Sequence, residues 1–169
     1  MTPPATLNWR AMTLADLPAV QGLADVIHPD FPEDAAVFAD RLDLHAAGCF
    51  ILVGSSGAVG YVLSHPWLDS QPPRLNAILG QPVVPASTYY IHDLALLPAA
   101  RKSGAATEIV EMLATHASAL QLHNMTLVAV NNSVHFWRRH GFDIVVDPDL
   151  DRQLRSYDAQ ACFMRRELT

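Results

Sequence analysis

Between Thr88 and Leu120 the apolar period of the chain changes from two to 3.6 across one proline and one glycine-bearing turn, and this change constrains the fold most. Thr88 to Leu97 (TYYIHDLALL) reads as a strand, Pro98 stops it, and Ala105 to Leu120 repeats Ile109, Leu113, Ala117 and Leu120 at helical spacing. Strand, turn and helix in that order commit the middle of the chain to a sheet covered by helices.

The flanks extend this unit. Leu7 to Met12 is a strand candidate, and Thr13 with Asp16 makes a capping-box-like start to LADLPAVQGLADVI. Pro18 lies too deep for the first turn, so this helix is either kinked or begins late. His28 to Asp34 (HPDFPED) is a loop, and Ala35 to His45 shows helical spacing through Val37, Phe38, Leu42 and Leu44. Gly48 to Gly54 and Ala58 to His65 are β-rich runs around a hairpin signal, Ser-Ser-Gly. Pro66 to Ser87 is proline-rich and irregular and reads as an insertion beside a site. Met125 to Val130 is the next strand, Ser133 to His140 a short helix ending at Gly141, Phe142 to Val146 a strand, and Gln160 to Leu168 the last. The order βααβββαβαββ implies one domain over 1–169, a mixed sheet with helices on both faces.

Composition narrows the function. The chain has 169 residues, a formal charge of −6 and no apolar run near the ~20 residues of a membrane helix. Its first residues, MTPPATLNWR, lack a signal-peptide layout, so a cytoplasmic protein is expected. The acidic balance offers no broad basic surface for nucleic acid. Cys49 and Cys162 sit in apolar stretches and read as inert core thiols. Eight histidines show no metal spacing, and no metal is predicted.

The turn itself, Arg101-Lys102-Ser103-Gly104-Ala105-Ala106, can cradle a pyrophosphate. Gly104 allows close backbone approach, the first helical amides carry partial positive charge, Arg101 and Lys102 add cations, and Thr107 adds a hydroxyl. It is neither a Walker loop nor a dinucleotide fingerprint. Read alone, it is equally an ordinary helix-start loop.

Two ordered motifs carry a resemblance. Leu96-x-Pro98-x-x-Arg101-x-x-Gly104-x-Ala106 resembles the central motif of the GCN5-related N-acetyltransferase (GNAT) family. Asn131-Asn132-Ser133-Val134-His135-Phe136-Trp137-Arg138-Arg139-His140-Gly141-Phe142 is similar to that family's Asn…Ala/Ser-x-x-Phe-Tyr-x-x-x-Gly-Phe segment. The resemblance implies an α/β (α+β mixed) fold with a mixed, mostly antiparallel sheet splayed at its middle between the Tyr89–Leu96 and Met125–Val130 strands. It implies acetyl-CoA as the cofactor. Leu94, Ala95 and Leu96 would line the pantetheine arm, the backbone groups of Leu94 and Leu96 pairing with it like an added strand. The amides from Arg101 through Thr107 would hold the pyrophosphate, Asn132, or in second place Asn131, would bond the cofactor, and Phe136 and Trp137 would pack beside its arm. Homodimers are common among similar proteins.

Acetyl transfer from a thioester to an amine needs a neutral amine, help for an oxyanion and a proton for the thiolate. Period-two alternation puts Tyr90, His92 and Leu94 on one strand face and Tyr89, Ile91 and Asp93 on the other. His92 then stands beside a cofactor-contacting position, and an imidazole, with an ordinary pKa near ~6.5, can accept an ammonium proton at neutral pH. One family member carries a catalytic histidine at the matching position; packing on a central strand is the alternative. Asp93 is the second candidate base or an ammonium anchor, with a structural role unless a bulge re-aims it. The family's tyrosine acid is replaced by Trp137, whose indole cannot donate usefully. Tyr90, Tyr157 or water substitutes, or the thiolate leaves unaided, and the oxyanion leans on a backbone N–H near Leu94 to Leu96.

In this family the acceptor pocket is built by the first interhelical loop and nearby strand ends, here His28, Asp30, Phe31 and Glu33 with Tyr61, His65 and Trp67. Acids with aromatics suit a small-molecule amine with an apolar body. Direct attack is expected, since no nucleophilic Cys or Ser signature is present. A non-catalytic acyl-CoA-binding module and a peptide or protein N-terminal acetyltransferase are the alternatives.

Overall fold

The computed structural model describes residues 6–155 and 158–169. Strand β1 (Asn8–Ala11) leads through a 3-10 turn at Leu14–Asp16 into α1 (Leu17–Ile27). The helix begins late, as Pro18 requires, and the Thr13 amide donates to Asp16 Oδ2 at 2.8 Å, the returning half of a capping box. Arg10 forks onto the same carboxylate with two 2.8 Å hydrogen bonds. Together they hold the Asp16 carboxyl down at about 2, the Arg10 hydrogen bond being the largest cause.

After α2 (Ala35–Leu44) come β2 (Phe50–Gly54), β3 (Gly57–Trp67) and β4 (Thr88–Leu96), then α3 (Ala105–Ala119), β5 (Asn124–Ala129), α4 (Val134–Arg139), β6 (Asp143–Ile144), α5 (Pro148–Arg155) and β7 (Cys162–Glu167). The seven strands form one sheet in the order β1-β2-β3-β4-β5-β7-β6, antiparallel except between β4 and β5. One core cluster, with Ile109, Leu113, Tyr89, Ile91, Met125 and Phe142, lies under α3. A second, with Val20, Leu23, Phe38, Leu42, Ile51, Tyr61 and Leu63, lies under α1 and α2. Helices therefore cover both faces, and no helix among the described residues is long and apolar enough to cross a membrane.

Three expectations need correction. Helix α5 replaces what reads as connection, capped by Asp147, whose Oδ1 accepts from the Asp149 and Leu150 amides at 3.1 and 3.2 Å. Its Leu150 and Leu154 are buried one turn apart. The expected strand Phe142–Val146 pairs only over Asp143–Ile144. Cys49 is buried, with its thiol pushed up to about 12 by burial, but Cys162 is only half-buried where β7 begins.

Candidate active site

Two breaks in regular pairing make the site. The parallel ladder between β4 and β5 is confined to Tyr89↔Met125 and Tyr90↔Thr126. Past Tyr90 the two strands part, and a cleft of about 790 Å³ opens with residues Tyr90 to Leu96 along one wall and Leu127, Val128, Val130 and Asn131 along the other. The second break is a bulge against β3: Leu63 pairs with Asp93 and Ser64 with Ile91, which leaves His92 as the extra residue.

The bulge overturns the simple alternation. Ile91, Leu94 and Leu96 all pack in the α3 cluster, whereas Ala95 packs under α1 and α2. Asp93 is not opposite to His92: both reach the α1–α2 loop. His92 Nε2 lies 2.7 Å from Glu33 Oε1, with both side chains under a tenth exposed. Asp93 Oδ1 lies 2.9 Å from His28 Nε2, and its other oxygen accepts from the Tyr61 hydroxyl. His28 Nδ1 in turn meets the Asn131 amide nitrogen at 3.0 Å, so the loop side chain spans from one cleft wall to the other. Glu33 Oε2 accepts from the Asn76 amide at 3.0 Å and thereby ties down the irregular segment after β3, whose Pro73, Arg74 and Leu75 line the cleft.

Buried carboxylates without partners would take up protons. Burial does push Glu33 upward, but the His92 hydrogen bond and charge outweigh it and the net direction is down. Burial likewise raises Asp93, while its hydrogen bond to His28, the charges of His28 and His92 and the Tyr61 hydrogen bond lower it further than burial raises it. For His28 burial favours the neutral ring, but the Asp93 hydrogen bond and charge, aided by Glu33, carry the net shift upward. The site holds two acid–imidazole pairs, with both carboxyl groups prepared as anions.

At the other end of the cleft the turn before α3 takes the cradle shape. Gly104 caps the helix with φ +87° and Lys102 has φ +64°, both left-handed. The amides of Ala106 and Thr107, in the first helical turn, have no carbonyl one turn back to bond. Arg101, Lys102, Arg139 and His140 surround this end of the cleft. The Arg101 guanidinium is braced by a 3.1 Å bond from Nε to the Leu96 carbonyl. Ser103 and Ala105 do not line the cleft. The Ser103 hydroxyl donates to the Ala100 carbonyl at 2.6 Å, and the Ala105 carbonyl accepts from Trp9 Nε1 at 2.9 Å, so both stiffen the turn from behind.

Of the remaining expected residues, Phe31, Phe136 and Trp137 line the cleft. Trp137 is wedged edge-on between Phe136 and Phe142, ring centroids 4.9 and 5.3 Å away. Tyr90 lines the cleft but is buried against His65. Asn131, not Asn132, faces the cleft, though both have positive φ. Asp30 stays outside it. Tyr61 and His65 are fully buried below the cleft, His65 with its pKa pushed down to about 3 by burial, and Trp67 packs against His65 while donating to the Gln71 carbonyl at 3.0 Å. None of these three lines the cleft, and the Tyr61 hydroxyl bonds to Asp93. Tyr157 lies outside the described residues. Glu33 is the residue whose weight the sequence understates, since nothing local shows that it reaches β4.

A sheet that opens beside a helix-start anion cradle, with two acid–imidazole pairs at the opening, fits a class of fold that binds a nucleotide thioester. The chain belongs to the Acetyltransferase (GNAT) family, whose sequence profile matches residues 12–142. Members of this family are acyl-CoA-dependent acetyltransferases with acetyl-CoA as cofactor, and the cleft fits that molecule: the cradle suits the pyrophosphate, and the unpaired length of β4 suits an extended amide-bearing arm. Among solved structures the fold is similar to the GphF GNAT-like decarboxylase in complex with isobutyryl-CoA, with TM-score 0.77 and 16% identity over 96% of this chain and 100% of that one. It is also similar to the loading GNATL domain of CurA from Lyngbya majuscula, with TM-score 0.75 and 12% identity over 96% of this chain and 98% of that one. Ard1 from Thermoplasma volcanium gives 0.72 and 12%, again over 96% and 98%. At these identities the likeness is one of fold. Among curated proteins none matches the sequence.

Proposed function

We propose that the protein is a cytoplasmic N-acetyltransferase that moves an acetyl group from acetyl-CoA to the primary amine of a small molecule by direct attack, with His92 as general base. The observation that carries this reading is the Glu33–His92 pair at 2.7 Å on the bulge of β4, inside the cleft that runs to the phosphate cradle. Glu33 orients the imidazole, as a carboxylate does for a catalytic histidine in general. The bulge presents this group next to the unpaired length of β4, where the donor's arm would lie. Arg101, Lys102 and the amides of Ala106 and Thr107 would hold the pyrophosphate, and Asn131 is the better placed of the two asparagines to bond the donor.

A small acceptor is favoured over a peptide by the segment following β3. Its Asn76 is pinned to Glu33 and to Asp34, which brings Pro73, Arg74 and Leu75 against the cleft and narrows an otherwise open groove. Peptide acetylation is represented among fold relatives, for example Arabidopsis thaliana Naa50 in complex with the bisubstrate analogue CoA-Ac-MVNAL, at 15% identity.

The test is thiol release from acetyl-CoA across a panel of small amines and short peptides, with wild type and His92→Ala, alongside calorimetric acetyl-CoA affinity. The proposal expects turnover with small amines, lost in His92→Ala while affinity persists. Turnover with peptides alone would give the enzyme the other acceptor class, and tight donor binding without turnover on any amine would make it a binding module.

A further inference from the structure

We infer that His28 is the general acid of the transfer, giving the proton on Nδ1 to the sulfur of coenzyme A as the carbon–sulfur bond breaks. The inference rests on the proposed N-acetyl transfer and supplies the proton donor that Trp137 cannot be.

His28 bonds to both walls of the cleft where the strands part, with Nε2 on Asp93 of β4 at 2.9 Å and Nδ1 at Asn131, just past β5, at 3.0 Å. The second nitrogen therefore stands in the gap that a donor entering between the strands must pass. Asp93 is fixed as the partner anion by its second bond, from Tyr61. His92 is already bonded to Glu33, so the two imidazoles where the strands part each have a carboxylate of their own. The charged groups that bear on His28 are Asp93 and Glu33, which favour its imidazolium, and Arg101, which opposes it; the first two prevail over Arg101 and over burial. Two other candidate donors also line the cleft but are held in ring contacts: Tyr90 packs against His65, and His140 lies tilted on Phe136 with ring centroids 4.6 Å apart.

In the step, the electron pair of the carbon–sulfur bond goes to sulfur and the Nδ1 proton follows it, leaving thiol and a neutral imidazole that keeps its Nε2 proton on Asp93. The Asn131 amide can then return to Nδ1, the arrangement seen here. With 18% of its side chain exposed, His28 recovers its proton from water.

Two measurements test this. The first is ¹⁵N NMR of histidine-labelled wild-type protein, alone and with coenzyme A, and needs no variant. His28 should titrate above an ordinary histidine, and Asp93→Asn should bring that titration down. A His28 that titrates at or below an ordinary histidine in both states overturns the assignment. The second compares wild type with His28→Gln using acetyl-CoA and the acetyl thioester of 4-nitrothiophenol, whose thiolate leaves without a proton. With acetyl-CoA kcat should fall by about 100-fold and the alkaline decline of the wild-type profile should disappear, whereas with the activated thioester the loss should stay within about 3-fold. Equal losses with both donors would mean that His28 only shapes the cleft. A wild type that turns over no amine sinks the transfer reaction itself, and this role with it.

Discussion

Glu33 Oε1 lies 2.7 Å from Nε2 of His92, the residue that bulges out of β4, while the other oxygen of the same carboxylate accepts from the backbone of Asn76. One side chain thus sets the direction of an imidazole and the position of a loop 43 residues away in sequence.

Glu33→Gln should therefore have two separable effects. Loss of the anion beside His92 should lower kcat by about 10-fold or more with little change in acetyl-CoA affinity, and His92→Ala should lower it by about 10²–10⁴. Amide exchange at Asn76 and Ala77 should quicken in Glu33→Gln but not in His92→Ala. Steady-state kinetics and hydrogen exchange on the same samples separate the two.

Gly104 isolates backbone conformation from crowding. A Cβ added there would meet nothing within 4 Å, yet φ is +87°. Gly104→Ala should cost about 1–2 kcal/mol from the left-handed backbone alone, and acetyl-CoA affinity should fall as the cradle relaxes. Thermal unfolding and calorimetry read the two losses; an unchanged affinity would separate the turn from the phosphates.

Tyr61 is too deep to meet a substrate, and its hydroxyl is spent on Asp93. Tyr61→Phe leaves a buried carboxylate short of a donor, which should cost about 1–3 kcal/mol of stability at pH 7 in urea unfolding. Because the folded Asp93 carboxyl is held below its ordinary value, the stability from its ionisation is present at neutral pH and is lost as pH falls through the folded value. The deficit of the variant should accordingly shrink in acid.

Asp16 supplies a second acid-sensitive contact, far from the cleft. Its carboxyl is lowered from 3.8 to about 2, first by the Arg10 hydrogen bond. Its contribution is complete above pH 4 and disappears as pH falls toward 2. Asp16→Asn should lower the melting temperature by a few degrees at pH 7, and the difference should fade as pH drops through about 2.

The cradle was legible in the sequence because all its parts are local: a strand end, a proline, a glycine and a helix start within a dozen residues. The pair of breaks that makes the chemistry was not. Nothing in TYYIHDLAL shows that His92 lacks a partner, since the partner strand ends about twenty residues earlier and the missing register is a property of both strands. Period two therefore put Asp93 on the wrong face. That Asn131 rather than Asn132 faces the cleft was not legible for a related reason, as both adopt left-handed backbone and only the meeting with His28 distinguishes them. Helix α5 escaped because two leucines one turn apart are a faint pattern, although Asp147 and Pro148 formed a readable start.

The rungs joining β4 to β5 stop at Tyr90 and Thr126, so the sheet carries a tear through its centre. Whatever binds along that tear acts as mortar between the halves, and at a hundredfold excess over its dissociation constant it adds about 2.7 kcal/mol to the stability of the whole. The stability of this protein should thereby follow the supply of its acyl donor, falling as coenzyme A becomes scarce.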